Sequence, residues 1–241
     1  MIARSHLHTF QQGNRSFDYR VNREDQRRLK IEVFPDLNVV VHVPLNATKE
    51  EIEGRLRKKA SWVFRSLAEL AQYHPLPTPK HYRSGESVFY LGRQYYLKVQ
   101  SAEQSKVRLL AGKLEVSVPG NPEKEIIESL VQGWYRKRAL EVFPKRIESC
   151  RSRVADPTQK TVPLRVRQMK TRWGSCSAHG VITLNPELMK VPSPCMDYVI
   201  LHELCHLRHL NHGKEFYALL EAVCPNWRIQ KHRLNEFASK S

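Results

Sequence analysis

The sequence predicts an α+β protein, and three observations carry that prediction. A strand, a proline and an amphipathic helix follow one another twice. Short strand candidates cluster after Asp156-Pro157, and two helical stretches come after them, the first bearing His202-Glu203-Leu204-Cys205-His206. Alternation of apolar and polar residues marks the strands, and recurrence at three and four residues marks the helices.

The first element is a repeat. Sliding the chain by 75 residues lays Val41 to Glu53 over Val116 to Glu128, with eight of thirteen positions identical. Each copy reads as a strand, a Pro stop, an Asn or nearby Thr able to cap, and a helix. The helices are expected from about Lys49 to Tyr73 and from about Pro122 to Ser149. Ahead of each copy the pattern predicts a hairpin, pairing Phe17 to Arg20 with Leu29 to Phe34, and Ser87 to Tyr90 with Gln94 to Val99 around Leu91-Gly92-Arg93. Two β-β-α units result. His74-Pro75-Leu76-Pro77-Thr78-Pro79 cannot continue a helix and reads as a stiff connector. The expected organisation is therefore an N-terminal β-β-α unit with connector over residues 1–79 and a second unit over 80–241, whose active core starts at about 122.

Strand candidates follow at Val162 to Met169, Arg172 to Ser175 and Gly180 to Leu184. Val191-Pro192-Ser193-Pro194 then punctuates the chain, and helical spacing from Cys195 predicts a helix to about Leu210. Another helix is expected from Glu215 to Val223.

His202-Glu203-Leu204-Cys205-His206 has the H-E-x-x-H spacing, which puts both imidazoles on one helix face, able to meet one Zn²⁺. Glu203, about 100° round the helix, then borders the open coordination position as general base. Chance gives roughly 0.04 such motifs in a chain of this composition, so a third ligand is needed to support the reading. His212 is that candidate: it lies six residues beyond His206, and Asn211 and Gly213 suit the reversal that would bring it back. Three neutral imidazoles with one exchangeable position describe a catalytic zinc, one per chain. His209 reads as a helix C-terminal cap rather than a ligand, and Glu215 and Glu221 as solvated carboxylates rather than partners of the metal.

Composition bounds the rest. Hydrophobic residues make 41% and charged residues 27% of the 241, with no apolar run long enough for a bilayer span, so no membrane partner is expected. The first residues lack the features of a secretory signal, and five cysteines without a C-x-x-C pair suit reduced thiols in a cytoplasm. Forty Lys and Arg against 24 Asp and Glu give a formal charge of +16 and a pI near 9.8, which makes polyanions natural partners. Basic clusters at Arg55 to Lys59, Arg136 to Arg138, Arg165 to Arg172 and Arg228 to Arg233 read individually as solvated faces; the global excess is what points to anions.

The chain resembles the YgjP-like metallopeptidase family. The likeness rests on Arg172-Trp173-Gly174-Ser175-Cys176, Ile182-Thr183-Leu184-Asn185, His202 to Leu207, Asn211-His212-Gly213 and Phe216. It implies His202, His206 and His212 as metal ligands and Glu203 as the catalytic residue. Through its similarity to SprT-like and other compact zincins, it also implies a minimal zincin-like core of backing helix, small twisted sheet and H-E-x-x-H helix. In zincins the strand before the active-site helix pairs with an extended substrate. Arg172, Trp173 and Gly174 are then substrate-binding candidates, with Trp173 as cleft wall or core, and Gly174 as a point of close approach or a bulge. For the tetrahedral intermediate Tyr217, His179 and Arg172 stay open.

Three functions fit. The first is a zinc-dependent hydrolase acting as a metallopeptidase on protein or peptide, with a zinc-bound water activated by Glu203. The second is a metal-dependent hydrolase of nucleotides or other phosphorylated small molecules, motivated by the arginines. The third is a SprT-like protease associated with nucleic acid through non-specific phosphate contacts.

Overall fold

The computed structural model describes residues 7–34, 36–71, 80–154, 162–169 and 172–238. The chain divides into two compact units, Met1–Leu76 and Pro77–Ser241. The proline-rich connector over 74–79 and the expected end of the first helix at Tyr73 lie outside the described residues.

In the first unit β1 (Leu7–Gln12), β2 (Arg15–Glu24), β3 (Lys30–Val33) and β4 (Val39–Pro44) form one sheet in the order β1-β2-β4-β3. The expected β-β-α unit is thus ββββα, and the expected hairpin between Phe17 to Arg20 and Leu29 to Phe34 is not formed. Strand β2 pairs with β1 in an antiparallel hairpin and with β4 in parallel, and β3 pairs only with β4. The reason is burial: Val39, Val41 and Val43 are all inside, so β4 takes the centre, while β3 carries no fully buried residue and goes to the edge. Helix α1 (Lys49–Ala71) lays Ile52, Leu56, Ala60 and Val63 into the same core as Phe10, Phe17 and Tyr19. Its start is a capping box: Glu51 N–H donates to Thr48 Oγ1 at 3.2 Å, and Thr48 N–H donates to Glu51 Oε2 at 2.9 Å.

The second unit opens with the same topology. Strands β5 (Ser87–Tyr90), β6 (Arg93–Ser101), β7 (Lys106–Leu110) and β8 (Lys113–Val118) form a sheet in the order β5-β6-β8-β7, again with a parallel central pair. The repeat therefore extends over a whole ββββα block. Helix α2 (Lys124–Val154) follows, with Pro144 inside it. The β5–β6 hairpin turns at Leu91-Gly92, both at positive φ (49° and 79°), as a two-residue hairpin demands. Its tip is docked: Leu91 N–H donates to Met189 O at 2.8 Å and Gly92 N–H to Lys190 O at 3.0 Å.

A second, three-stranded sheet follows, from β9 (Leu164–Val166), β10 (Gly174–Cys176) and β11 (Ile182–Leu184), in the order β10-β11-β9. Buried Asn185 stitches its loops, donating from Nδ2 to Met169 O (2.8 Å) and Arg172 O (3.0 Å) and accepting at Oδ1 from Glu187 N–H (3.2 Å). A 3-10 turn, Pro186–Met189, then leads to α3 (Ser193–Cys205), α4 (Lys214–Val223) and α5 (Trp227–Ala238). Helix α3 is apolar nearly all round and packs against α2, α4, α5, β10 and β11, as a central helix must. It ends at Cys205 rather than near Leu210: residues 206–208 tighten into a turn, after Leu207 the chain leaves the core, and Leu210 is 66% exposed. The protein is thus a mixed α+β structure with five α-helices and small mixed sheets among the described residues. Among those residues no helix is long and apolar enough to cross a membrane.

Candidate active site

The C-terminal end of α3 carries the site. His202 lies in its last turn and His206 is its C-cap, with φ −66° and ψ −18°, so the second imidazole keeps helical placement although the helix has ended. Residues 206–208 tighten into a turn, Gly213 N–H donates to Asn211 O at 2.8 Å, and the chain reverses into α4. That reversal returns His212 to the other two imidazoles. Potential ligand atoms of His202, His206 and His212 all lie within 4.8 Å of one another, and they are the one such group among the described residues. His212 Nε2 stands 3.0 Å from His202 Nε2, close to the roughly 3.4 Å expected of two nitrogens on one tetrahedral zinc.

What holds the rings is partly Phe216, on the first turns of α4. It is fully buried, and its ring centroid lies 4.9, 4.7 and 4.7 Å from those of His202, His206 and His212. His206 Nδ1 lies 2.9 Å from the carbonyl oxygen of His209, which can only accept. The bond puts the proton on Nδ1 and leaves Nε2 with its lone pair. His209 therefore contributes its backbone to the site, while its ring lies 3.6 Å from Glu215. Glu221 binds Trp227 Nε1 (2.7 Å) and Arg228 (2.8 Å), so neither carboxylate joins the histidines.

Electrostatics favour the neutral form of His202 and His212. Burial, then the neighbouring His212 and His206, then Lys231, push the His202 pKa down to about 3, and burial and His206 lower that of His212. Neutral rings with free lone pairs are what a divalent cation needs, so the donor set fits a metal.

Glu203 is 6% exposed and faces β10. Burial raises its carboxyl to about 7, against the opposing pull of Arg172 and of a hydrogen bond from the Cys176 backbone N–H. Gly174 is there for Glu203 rather than for a bulge: a Cβ at residue 174 would stand 2.8 Å from Glu203 Oε1 and 2.9 Å from Cγ. Trp173 is half-buried, packing on the core while also lining a cleft, so wall and core are both its role. Arg172 is exposed at the cleft mouth.

Two clefts flank the site and share Arg172, Gly174, His202 and Glu203. One, of about 220 Å³, runs toward Trp173, Tyr198, Lys231 and Leu234. The other, of about 330 Å³, runs past Cys176, His206, Leu210 and His212. Between them β10 is an edge strand, paired only with β11. Trp173 O and Ser177 N–H bond toward β11, so alternation turns the amides of Gly174 and Cys176 to the cleft. Of the open electrophile candidates, Tyr217 stacks on Trp227, its ring 6.2 Å from that of His212, and His179 is exposed in the β10–β11 turn. The five cysteines are free thiols, buried except for half-exposed Cys176.

Sequence reasoning gave no role to Phe216, Asn185 or Cys176, although all three stand in the motifs it quoted. No signal in the sequence separates a ring that supports three imidazoles from an ordinary core phenylalanine.

Comparison with known proteins agrees with the geometry. No curated protein matches the chain. A solved structure described as the metallopeptidase zymogen of Pyrococcus abyssi abylysin is 27% identical over 36% of this chain and 85% of its own. Its TM-score is 0.32, so no conclusion about the fold rests on it. The family model for the YgjP-like metallopeptidase domain matches residues 27–237, nearly the whole chain. This chain, a metal-dependent peptidase, belongs to the YgjP-like metallopeptidase family.

Proposed function

We propose that the protein is a zinc peptidase with a minimal zincin-like core, in which His202, His206 and His212 hold one Zn²⁺ and Glu203 is the general base and acid. The observation that carries this reading is the convergence of three imidazoles beside a buried carboxyl at the edge of a sheet. Helix α2 backs α3, and the three-stranded sheet lies beside it, as such a core requires.

Zinc in this site supplies Lewis acidity and lowers the pKa of water. Glu203 takes the proton of the attacking water and delivers it to the leaving amine. Its raised pKa suits a group that must both accept and release a proton near neutrality. The substrate backbone adds a strand to β10, using the cleft-facing amide of Gly174, and its flanking side chains enter the two clefts. Arg172 at the mouth holds an anionic or carbonyl oxygen of the peptide.

Glu203→Gln should keep about one zinc per chain and lose turnover of an unstructured protein. His212→Ala should lose the zinc. Turnover retained in Glu203→Gln would overturn the assignment of the base. Hydrolysis of nucleoside triphosphates that depends on Glu203, with no cleavage of protein, would move the reaction to phosphate esters.

A further inference from the structure

We propose that the solvent face of α1 is a binding site for single-stranded nucleic acid, where Trp62 stacks on a base and Arg55, Lys58, Lys59 and Arg65 hold the adjoining phosphates. The inference stands apart from the peptidase reading and uses none of its residues.

Helix α1 buries Ile52, Leu56, Ala60 and Val63 on one side. Helical geometry puts Arg55, Lys58, Trp62 and Arg65 on the solvent-facing flank, at spacings of seven and four residues before the tryptophan and three after it, with Lys59 at its border with the buried side. All five are exposed, and Trp62 is 45% exposed. The strip from 55 to 65 is about 15 Å long, with the indole among four cations.

Two features separate this strip from an ordinary solvated face. Trp62 is a large aromatic side chain set among cations and outside the core cluster that the inner face of the helix joins. Three of the four acids of the helix are engaged: Glu51 closes the capping box with Thr48, Glu53 lies 3.8 Å from Lys49, and Glu69, one turn beyond Arg65, has an interaction of its own, which leaves exposed Glu50 in the first turn. Among the described residues no acidic side chain pairs with Arg55, Lys58, Lys59 or Arg65.

Charge and shape then select the ligand. Unpaired cations beside an aromatic platform complement a chain of phosphates carrying unstacked bases, since every base offers a π-face. A duplex keeps its bases stacked inside and makes no use of the ring. A membrane surface needs a broad apolar face, and that of α1 is packed on its sheet.

The test is fluorescence anisotropy of the full chain with a labelled oligothymidylate of about twenty nucleotides, from roughly 50 to 200 mM salt. Trp62→Ala should weaken binding about tenfold, and Trp62→Phe should restore most of the loss. Lys58→Glu with Lys59→Glu should weaken it further and flatten the log–log salt slope by about 1.4. Lys106→Glu with Lys113→Glu, the same charge change on exposed strand positions of the other unit, should leave affinity within about twofold. Glu203→Gln should bind as the wild type does, and circular dichroism of each variant checks its fold. The proposal is overturned if Trp62→Ala binds normally, if the two double variants weaken binding equally, or if a duplex of the same length binds as tightly. It is also overturned if only phosphatidylserine vesicles, or only an acidic protein, respond to the strip variants.

Discussion

A methyl group at residue 174 has no room. It would meet the Glu203 side chain at 2.8 to 3.1 Å, in a site where Glu203 is already buried within α3. Gly174→Ala should therefore displace the carboxyl and lower kcat about a hundredfold while zinc content stays at one per chain, measurable by metal analysis beside turnover. Phe216→Ala makes the complementary change. It should remove about 3 to 5 kcal/mol of stability through the cavity it leaves, and weaken metal affinity because three rings lose a common support; denaturation and competition with a chelator read the two effects. At this scale the sequence discloses groups whose spacing is itself the chemistry. The grouping of His202, His206 and His212 beside Glu203 is legible because H-E-x-x-H spacing sets two imidazoles and the carboxyl on one helix and Asn211 and Gly213 suit the reversal that returns the third. Phe216 and the true neighbour of Gly174 are not, because each takes its role from a residue distant in sequence.

Elements show a related rule. The strands missed on reading the sequence are β1 and β7. Strand β1 buries only Phe10 and leaves no alternating imprint, while β7 alternates over just five residues and buries none of them fully, too short a pattern to stand out. Strand β4, central and wholly alternating, was plain. Pairing was less legible than existence, because a local pattern cannot tell a hairpin from a strand inserted between its two arms. Helix α5 went unread for want of a sharp apolar stripe, since most of its residues are at least partly exposed. The β5–β6 turn is an element whose effect reaches beyond itself. A Cβ at Gly92 would stand 2.8 Å from Pro192 Cγ and 2.9 Å from its Cα, in a backbone conformation that already disfavours side chains. Gly92→Ala should cost about 1 to 3 kcal/mol and reduce activity through α3, a loss that thermal denaturation and kcat report together.

At the scale of the molecule, the two units have separate cores and should respond separately to damage. Leu56 is fully buried in the first, so Leu56→Ala should destabilise that unit by about 2 to 5 kcal/mol, seen as a lowered first transition in calorimetry with the second unmoved. Metal removal tests the second unit. Its core is apolar and continuous from α2 through α3 to α4, so the metal-free chain should keep its far-ultraviolet circular dichroism. Adding zinc at a hundredfold over its Kd should then raise stability by about 2.7 kcal/mol, visible as a higher Tm. The duplicated block was half visible, as thirteen aligned residues; its remaining strands have diverged too far to align but kept their order.

The docked hairpin tip bears on how far the enzyme can be trimmed. The carbonyls of Met189 and Lys190, just ahead of α3, are satisfied by the amides of Leu91 and Gly92. A gene cut to begin at codon 122 would strip those partners away and bare the flank of Pro192, so the shortest piece that stays folded and hydrolyses peptide must start upstream of Ser87.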